Sequence, residues 1–234
     1  MSIAENISSV RQRIREAATR TGRDPDAIQL MAVSKTFNTW YIREAYEAGI
    51  RVFGENRVQE FVGKAEAVRA LDQARFHMIG HLQSNKAAKA AELFDAIDSI
   101  DSLKLAEKIN DAAQPLGKKL AVLVEINVGG ETAKSGIAPR SPELERLLSA
   151  ASGLHSLEIR GLMTIPPFAE DPEAGRPYFR SLRELRDQIA DRKFLAVDMG
   201  TLSMGMSHDF EVAIEEGATC VRVGTAIFGE RRKD

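Results

Sequence analysis

The chain has 234 residues, 44% hydrophobic and 28% charged, with a formal net charge of −2, long enough to bury a sizeable core in one large or two small domains. The near-neutral balance gives no basis for a broad nucleic-acid or anionic-membrane surface, no apolar run approaches the roughly 18 residues that span a bilayer, and the polar N-terminus lacks a signal core. A single cysteine, Cys220, excludes an internal disulfide framework and fits the cytoplasm, and the four histidines show no metal-ligand spacing.

The first 22 residues predict a leading helix, with Ile3, Ile7, Val10 and Ile14 on its apolar face. Short apolar, β-rich runs then alternate with segments of helical period. The runs are Leu30–Lys35, Arg51–Asn56, Arg75–Gly80, Phe94–Ile100, Leu120–Val128, Leu157–Ile165, Phe194–Leu202 and Thr219–Ile227. Between them, Ser102–Ala113 and Pro172–Ala190 carry apolar residues at helical spacing. Ser141-Pro-Glu and Asp171-Pro-Glu offer an N-cap followed by proline, and Gly49 and Gly217 stand where helices end. Strands alternating with helices imply parallel pairing through crossovers, and near-continuous apolar strands imply a sheet covered on both faces. A doubly wound open sheet and a closed barrel both accept this pattern. Eight units in about 200 residues, with no glycine-rich dinucleotide loop after the first strand, favour an α/β fold of (β/α)8 TIM-barrel type. One domain over residues 1–234, with the leading helix ahead of it, is expected.

Active residues of such barrels sit at the C-terminal ends of strands. Lys35 shares a strand face with Met31 and Val33; if that face points inward, desolvation favours a neutral amine able to condense with a carbonyl. The competing explanation is a lysine that snorkels out of the barrel mouth. Arg222 interrupts an apolar run, so it needs a ligand or a salt-bridge partner such as Glu125 or Asp198. The turns after the last two strands, around Ser203, Gly205, Gly224 and Thr225, have the small side chains and hydroxyls of a phosphate site. Ser207 reads more simply as the N-cap of the next helix, with Asp209 favouring its first turn. Two phosphate-loop look-alikes, Gly129–Ser135 and Gly224–Gly229, lack the required glycines or lysine. Together the features describe an aldehyde-bearing phosphate ligand.

The motifs Ala32-Val-Ser-Lys-Thr36, Phe53-Gly-Glu-Asn-Arg57, His77-Met-Ile-Gly-His-Leu-Gln-Ser-Asn-Lys86, Asn127–Gly136, Gly161-Leu-Met-Thr164, Leu202–Glu211 and Val221–Gly229 occur in order. In that order and spacing the chain resembles the YggS/PROSC family of pyridoxal phosphate homeostasis proteins, from about residue 2 to 232. The resemblance implies a barrel of the alanine racemase type that holds pyridoxal 5′-phosphate (PLP). It implies that Lys35 forms the internal aldimine, that Ser203, Gly224 and Thr225 hold the phosphate, and that Arg222 faces the pyridine nitrogen. Asn56 and Met163 would line the cofactor, with His81 near the pocket mouth. An arginine at that nitrogen disfavours ring protonation and weakens the electron sink. Racemases of the same fold flank the α-carbon with a lysine and a tyrosine, whereas Tyr41, Tyr46 and Tyr178 all fall in predicted helices here. The expectation is therefore a carrier acting in vitamin B6 and amino-acid balance, with a slow amino-acid racemase as the alternative. Small amino acids and PLP-dependent apoenzymes are the expected partners. The chain leaves no room for a second domain like the racemases' C-terminal one, and with 6% aromatic residues a monomer is expected.

Overall fold

The computed structural model describes residues 2–131 and 135–230. It begins with helix α1 (Ile3–Arg20), which Ser2 and Glu5 start with a reciprocal capping box. Then come β1 (Gln29–Val33), α2 (Thr39–Glu47), β2 (Val52–Glu55), α3 (Val58–Val68), β3 (Arg75–Met78) and α4 (Ala87–Leu93). The second half continues with β4 (Ala96–Ile100), α5 (Leu103–Ala113), β5 (Leu120–Glu125), α6 (Pro142–Ala150) and β6 (Leu157–Met163). It closes with α7 (Arg176–Asp191), β7 (Val197–Met206), α8 (Phe210–Glu215), β8 (Cys220–Val223) and the short α9 (Thr225–Phe228). The eight strands pair in parallel in chain order, and β8 pairs back onto β1 to close the barrel. The expected TIM-barrel topology is present.

Two-residue alternation divides the side chains between two regions. Ala32, Phe53, Phe76, Ile97 and Val122 point outward into one large apolar cluster shared with the surrounding helices. Met31, Val33, Val52, Ile79 and Cys220 form a separate small cluster inside the barrel. The leading helix buries Ile7, Val10 and Ile14 in the outer cluster, contributing roughly 1.5–3 kcal/mol per side chain.

Several boundaries differ from the sequence expectation. The run expected as one strand over Thr219–Ile227 ends at Val223, and Thr225–Phe228 is helical. The apolar Ile227 and Phe228 are buried helix residues that read like strand. The seventh strand starts later and runs to Met206, because Gly205 adopts a left-handed φ of +90° that lets the strand pass α8. A Cβ on Gly205 would lie 2.5 Å from that of Ala213. The fifth strand ends at Glu125 instead of Val128, and Asp171 caps a 3-10 turn over Pro172–Gly175 ahead of α7. Ser141 caps α6 as expected. No described helix is long and apolar enough to cross a membrane.

Candidate functional site at the C-terminal mouth of the barrel

A cavity of about 390 Å³ opens at the C-terminal ends of the strands. Lys35, Asn56, His81, Glu125, Arg222, Gly224 and Thr225 all line it, together with Ser207, Phe168 and Met206. Lys35 stands two residues beyond the end of β1, lines the cavity and continues the inward face of Met31 and Val33. Asn56 follows β2, and its carbonyl lies against Gly80: a Cβ on Gly80 would sit 2.4 Å from the Asn56 oxygen. His81 is half-exposed at the mouth, with Nδ1 2.9 Å from Asp101 Oδ2. The Asn127–Gly136 motif lies partly outside the described residues, since 132–134 are not described.

Arg222 rises from β8 inside the barrel and is 3% exposed. It donates to Ser203 Oγ and to the Thr164 carbonyl, both at 2.7 Å. Neither carboxylate considered from the sequence pairs with it: among the described residues no ion pair joins Arg222 to Glu125, and Asp198 binds Arg160 at the surface. Burial pushes the Arg222 pKa down, opposed by surrounding acidic groups that include Asp98, Glu125 and Asp209. Ser203 and Met163 are fully buried neighbours in the β6–β7 register and do not line the cavity. The Ser203 hydroxyl is engaged with Arg222.

The turn after β7 departs from the expected local cap. Ser207 Oγ accepts from the backbone N–H groups of Gly224 (3.2 Å) and Ala226 (3.3 Å). It therefore ties the β7 turn to the start of α9 and does not cap α8. Asp209 occupies the cap position of α8, and its Oδ1 accepts from Met206 N–H at 2.7 Å. The two last loops thus meet at a small cradle of backbone donors and hydroxyls.

Two further groups were not singled out as site residues from sequence. Glu125 is 6% exposed, and its Oε2 has no hydrogen-bond partner among the described residues. Its Oε1 accepts a long bond from Ser135 Oγ, 3.4 Å. Burial raises its pKa and Asp101 raises it further, with Arg222 and His81 opposing. Lys64 of α3 is buried with Glu55 behind the Lys35 backbone; its i,i+4 spacing from Glu60 reads in sequence as an ordinary solvated pair. Cys220 faces the interior with its pKa pushed up to about 12 by burial, which keeps it a thiol.

The alanine racemase N-terminal domain family model matches residues 5–232. The chain is 47% identical over 232 residues to the pyridoxal phosphate homeostasis protein of Aquifex aeolicus, covering 99% of this chain and 100% of that protein. It is 45% identical to the Escherichia coli protein of the same name, covering 98% and 97%. The chain belongs to the pyridoxal phosphate homeostasis protein family. Among solved structures, PipY of Synechococcus elongatus with PLP bound superposes with a TM-score of 0.84 at 38% identity, covering 97% of this chain and 100% of that one. Alanine racemase of Clostridium difficile shares the fold alone, with a TM-score of 0.71 at 17% identity over 58% of its length.

Proposed function

We propose that this chain binds PLP in the barrel-mouth cavity and acts as a carrier of it, serving vitamin B6 and amino-acid homeostasis in a reducing compartment. The observation that carries the reading is that a lysine, an arginine and a hydroxyl-and-amide cradle, from β1, β8 and the last two loops, line one cavity. Likeness to a family named for this role and to PipY with PLP bound supports it. The donor set fits the group: a primary amine for an aldehyde, backbone N–H groups for a phosphate, and a cation for an unprotonated ring nitrogen. PLP supplies an aldehyde that condenses reversibly with primary amines.

Lys35 presents the amine at the end of β1. Thr225, through its backbone N–H and hydroxyl, and the Ser207 hydroxyl bind the phosphate, and Gly224, whose N–H is held by Ser207, gives the phosphate a side-chain-free approach. Arg222 faces the ring nitrogen and keeps a proton off that atom. Ser203 and the Thr164 carbonyl hold Arg222 in place, so Ser203 acts from behind the arginine and not on the phosphate. Asn56 orients the ring edge, while Met163 lies buried beside Ser203 and off the cavity lining, behind the residues that meet the ring. Small amino acids and PLP-dependent apoenzymes are the partners this role calls for, and the chain acts as a monomer. No tyrosine lines the cavity: Tyr41 packs with Phe37 and Phe228, the Tyr46 hydroxyl donates to the Asp72 carbonyl, and Tyr178 lies on α7. A second base of the racemase kind is thus missing from the described lining, which favours the carrier.

Borohydride reduction of the protein mixed with PLP, followed by peptide mapping, tests the reading. The expected result is a single pyridoxyl group on Lys35. Modification spread over surface lysines, unchanged in Lys35→Ala, overturns it.

A further inference from the structure

Lys35 is flanked by two residues whose contacts lie on the other side of the sheet. The Ser34 hydroxyl donates to Glu55 Oε1 at 2.7 Å, and Glu55 is fully buried on the outward face of β2. Lys64 reaches the same place from α3. Its ammonium donates to the Ser34 carbonyl at 3.1 Å, to both Glu55 oxygens at 3.0 and 3.1 Å, and to Glu60 Oε1 at 2.9 Å. That same Glu60 oxygen accepts from Thr36 N–H. One buried ammonium therefore organises contacts to the backbone on both sides of Lys35.

Packing does not call for this cluster. A buried ion pair stabilises a fold no better than apolar side chains of similar volume, because desolvation offsets the attraction. Thr36 has a left-handed φ of 67°, a conformation that a β-branched residue adopts when its surroundings over-determine it. The Glu60 contact supplies that constraint at the one residue where the chain must leave β1 while Lys35 turns into the cavity. Burial raises the Glu55 pKa against the pull of Lys64, whereas hydrogen bonds from Lys64 and Thr36 outweigh burial at Glu60 and lower its pKa. Arg57 is the other cation acting on Glu60.

We propose that Lys64, through Glu55 and Glu60, is a positioning residue for Lys35: it clamps residues 34 and 36 so that the Lys35 amine enters the cavity aligned for an aldehyde. The inference rests on the reading of Lys35 as the PLP-linking lysine, and the test separates the two. Full-length wild type, Lys64→Met, Glu60→Ala and Glu60→Gln are compared with two labels of Lys35, each quantified by peptide mapping. One is PLP fixed by borohydride. The other is trinitrobenzenesulfonate, which reacts with any deprotonated amine and needs no PLP site. Melting temperature is recorded alongside.

Lys64→Met and Glu60→Ala should slow fixation of PLP on Lys35 by about tenfold or more, as expected when a reacting group is displaced by a fraction of an ångström to an ångström, while trinitrobenzenesulfonate, which demands no alignment, should label Lys35 at or above the wild-type rate. Glu60→Gln keeps an oxygen for Thr36 N–H and should recover most of the rate. Labelling of the exposed Lys89 should not change. Lower melting temperatures with PLP fixed on Lys35 at or above the wild-type rate would make the cluster a purely structural feature and overturn the proposal. If Lys64→Met does not fold, Glu60→Ala decides, because Glu60 is only partly buried and Lys64 keeps Glu55 as a partner. If the wild type reacts with trinitrobenzenesulfonate but takes no PLP on Lys35, the carrier reading fails and the positioning role falls with it, whereas PLP taken as fast by the variants as by the wild type overturns the positioning role alone.

Discussion

Glu125→Gln should stabilise the protein at neutral pH. The side chain is 6% exposed, Oε2 has no partner among the described residues, and Oε1 has only the long bond from Ser135. A buried polar atom left unsatisfied costs about 1–3 kcal/mol, more when charged. The amide isostere keeps the shape and removes the charge but still buries an imperfectly bonded group, so the net gain expected is about 1–2 kcal/mol. For a chain of this size that raises Tm by about 2–8 °C. Burial and then Asp101 raise the Glu125 pKa in the folded state, so the native protein holds this proton more tightly than the unfolded chain. The cost of the charged form is therefore complete above the folded pKa and fades as pH falls towards the unfolded value, about 4.3. Thermal unfolding of both proteins without PLP between pH 4 and 8 checks this. A Glu125→Gln protein that melts lower at pH 7, or whose advantage is unchanged at pH 4, would refute the reasoning.

Ser207→Ala removes the acceptor for two N–H groups at the start of α9; it should cost about 1 kcal/mol by analogy with a lost helix cap and weaken PLP binding measured by fluorescence titration. His77 is partly buried beside Asp98, 3.2 Å from both its oxygens, and although burial alone lowers its pKa the carboxylate raises it overall. The stability this pair contributes is present below about pH 6.5 and lost as pH rises through the folded value, so the Tm advantage of wild type over His77→Gln should shrink towards pH 8. Single-enantiomer amino acids incubated in deuterium oxide should gain no Lys35-dependent label at Cα, read by mass spectrometry; rapid uptake abolished in Lys35→Ala would make the protein a racemase.

Alternation of apolar runs with helical periods marked out the β/α units, because each writes its burial pattern locally, and their number, with no glycine-rich dinucleotide loop after the first strand, favoured a closed barrel over an open sheet. The inward direction of Lys35 and Arg222 followed from the same two-residue rule. What the sequence could not reveal depended on contacts between distant segments. Ile227 and Phe228 look like strand until Ser207, nearly twenty residues earlier, is seen taking the N–H groups of Gly224 and Ala226. That the Ser203 oxygen accepts from Arg222 was likewise hidden in the sequence, where the two stand on different strands. Lys64 is the sharpest case. At i,i+4 from Glu60 it has the pattern of a solvated helix pair, and only the packing of α3 over β1 and β2 makes it a buried charge beside the backbone of Lys35.

The interior of this barrel differs from one filled with layers of branched apolar side chains. Among the described residues its apolar cluster holds Met31, Val33, Val52, Ile79 and Cys220, and by alternation Leu123 and Met163 face the same way. By alternation along their strands, Gly54, His77, Asp98, Glu125, Ser203 and Arg222 share that interior. Replacing the charged members with leucine or valine would remove desolvation costs, and the outer cluster between sheet and helices already supplies most of the apolar burial. The arrangement of Arg222 shows what the polar interior achieves. Its hydrogen-bond partners are a hydroxyl and a carbonyl, both neutral, so among the described residues the guanidinium is fixed in position without a direct ion pair, with Asp98, Glu125 and Asp209 acting on its charge from farther off. A salt bridge would hold the side chain as firmly but would direct that charge away from the cavity. Pinning by neutral groups leaves the cation on the cavity lining; with PLP bound as proposed above, it would oppose protonation of the ring nitrogen and so favour holding PLP over activating it.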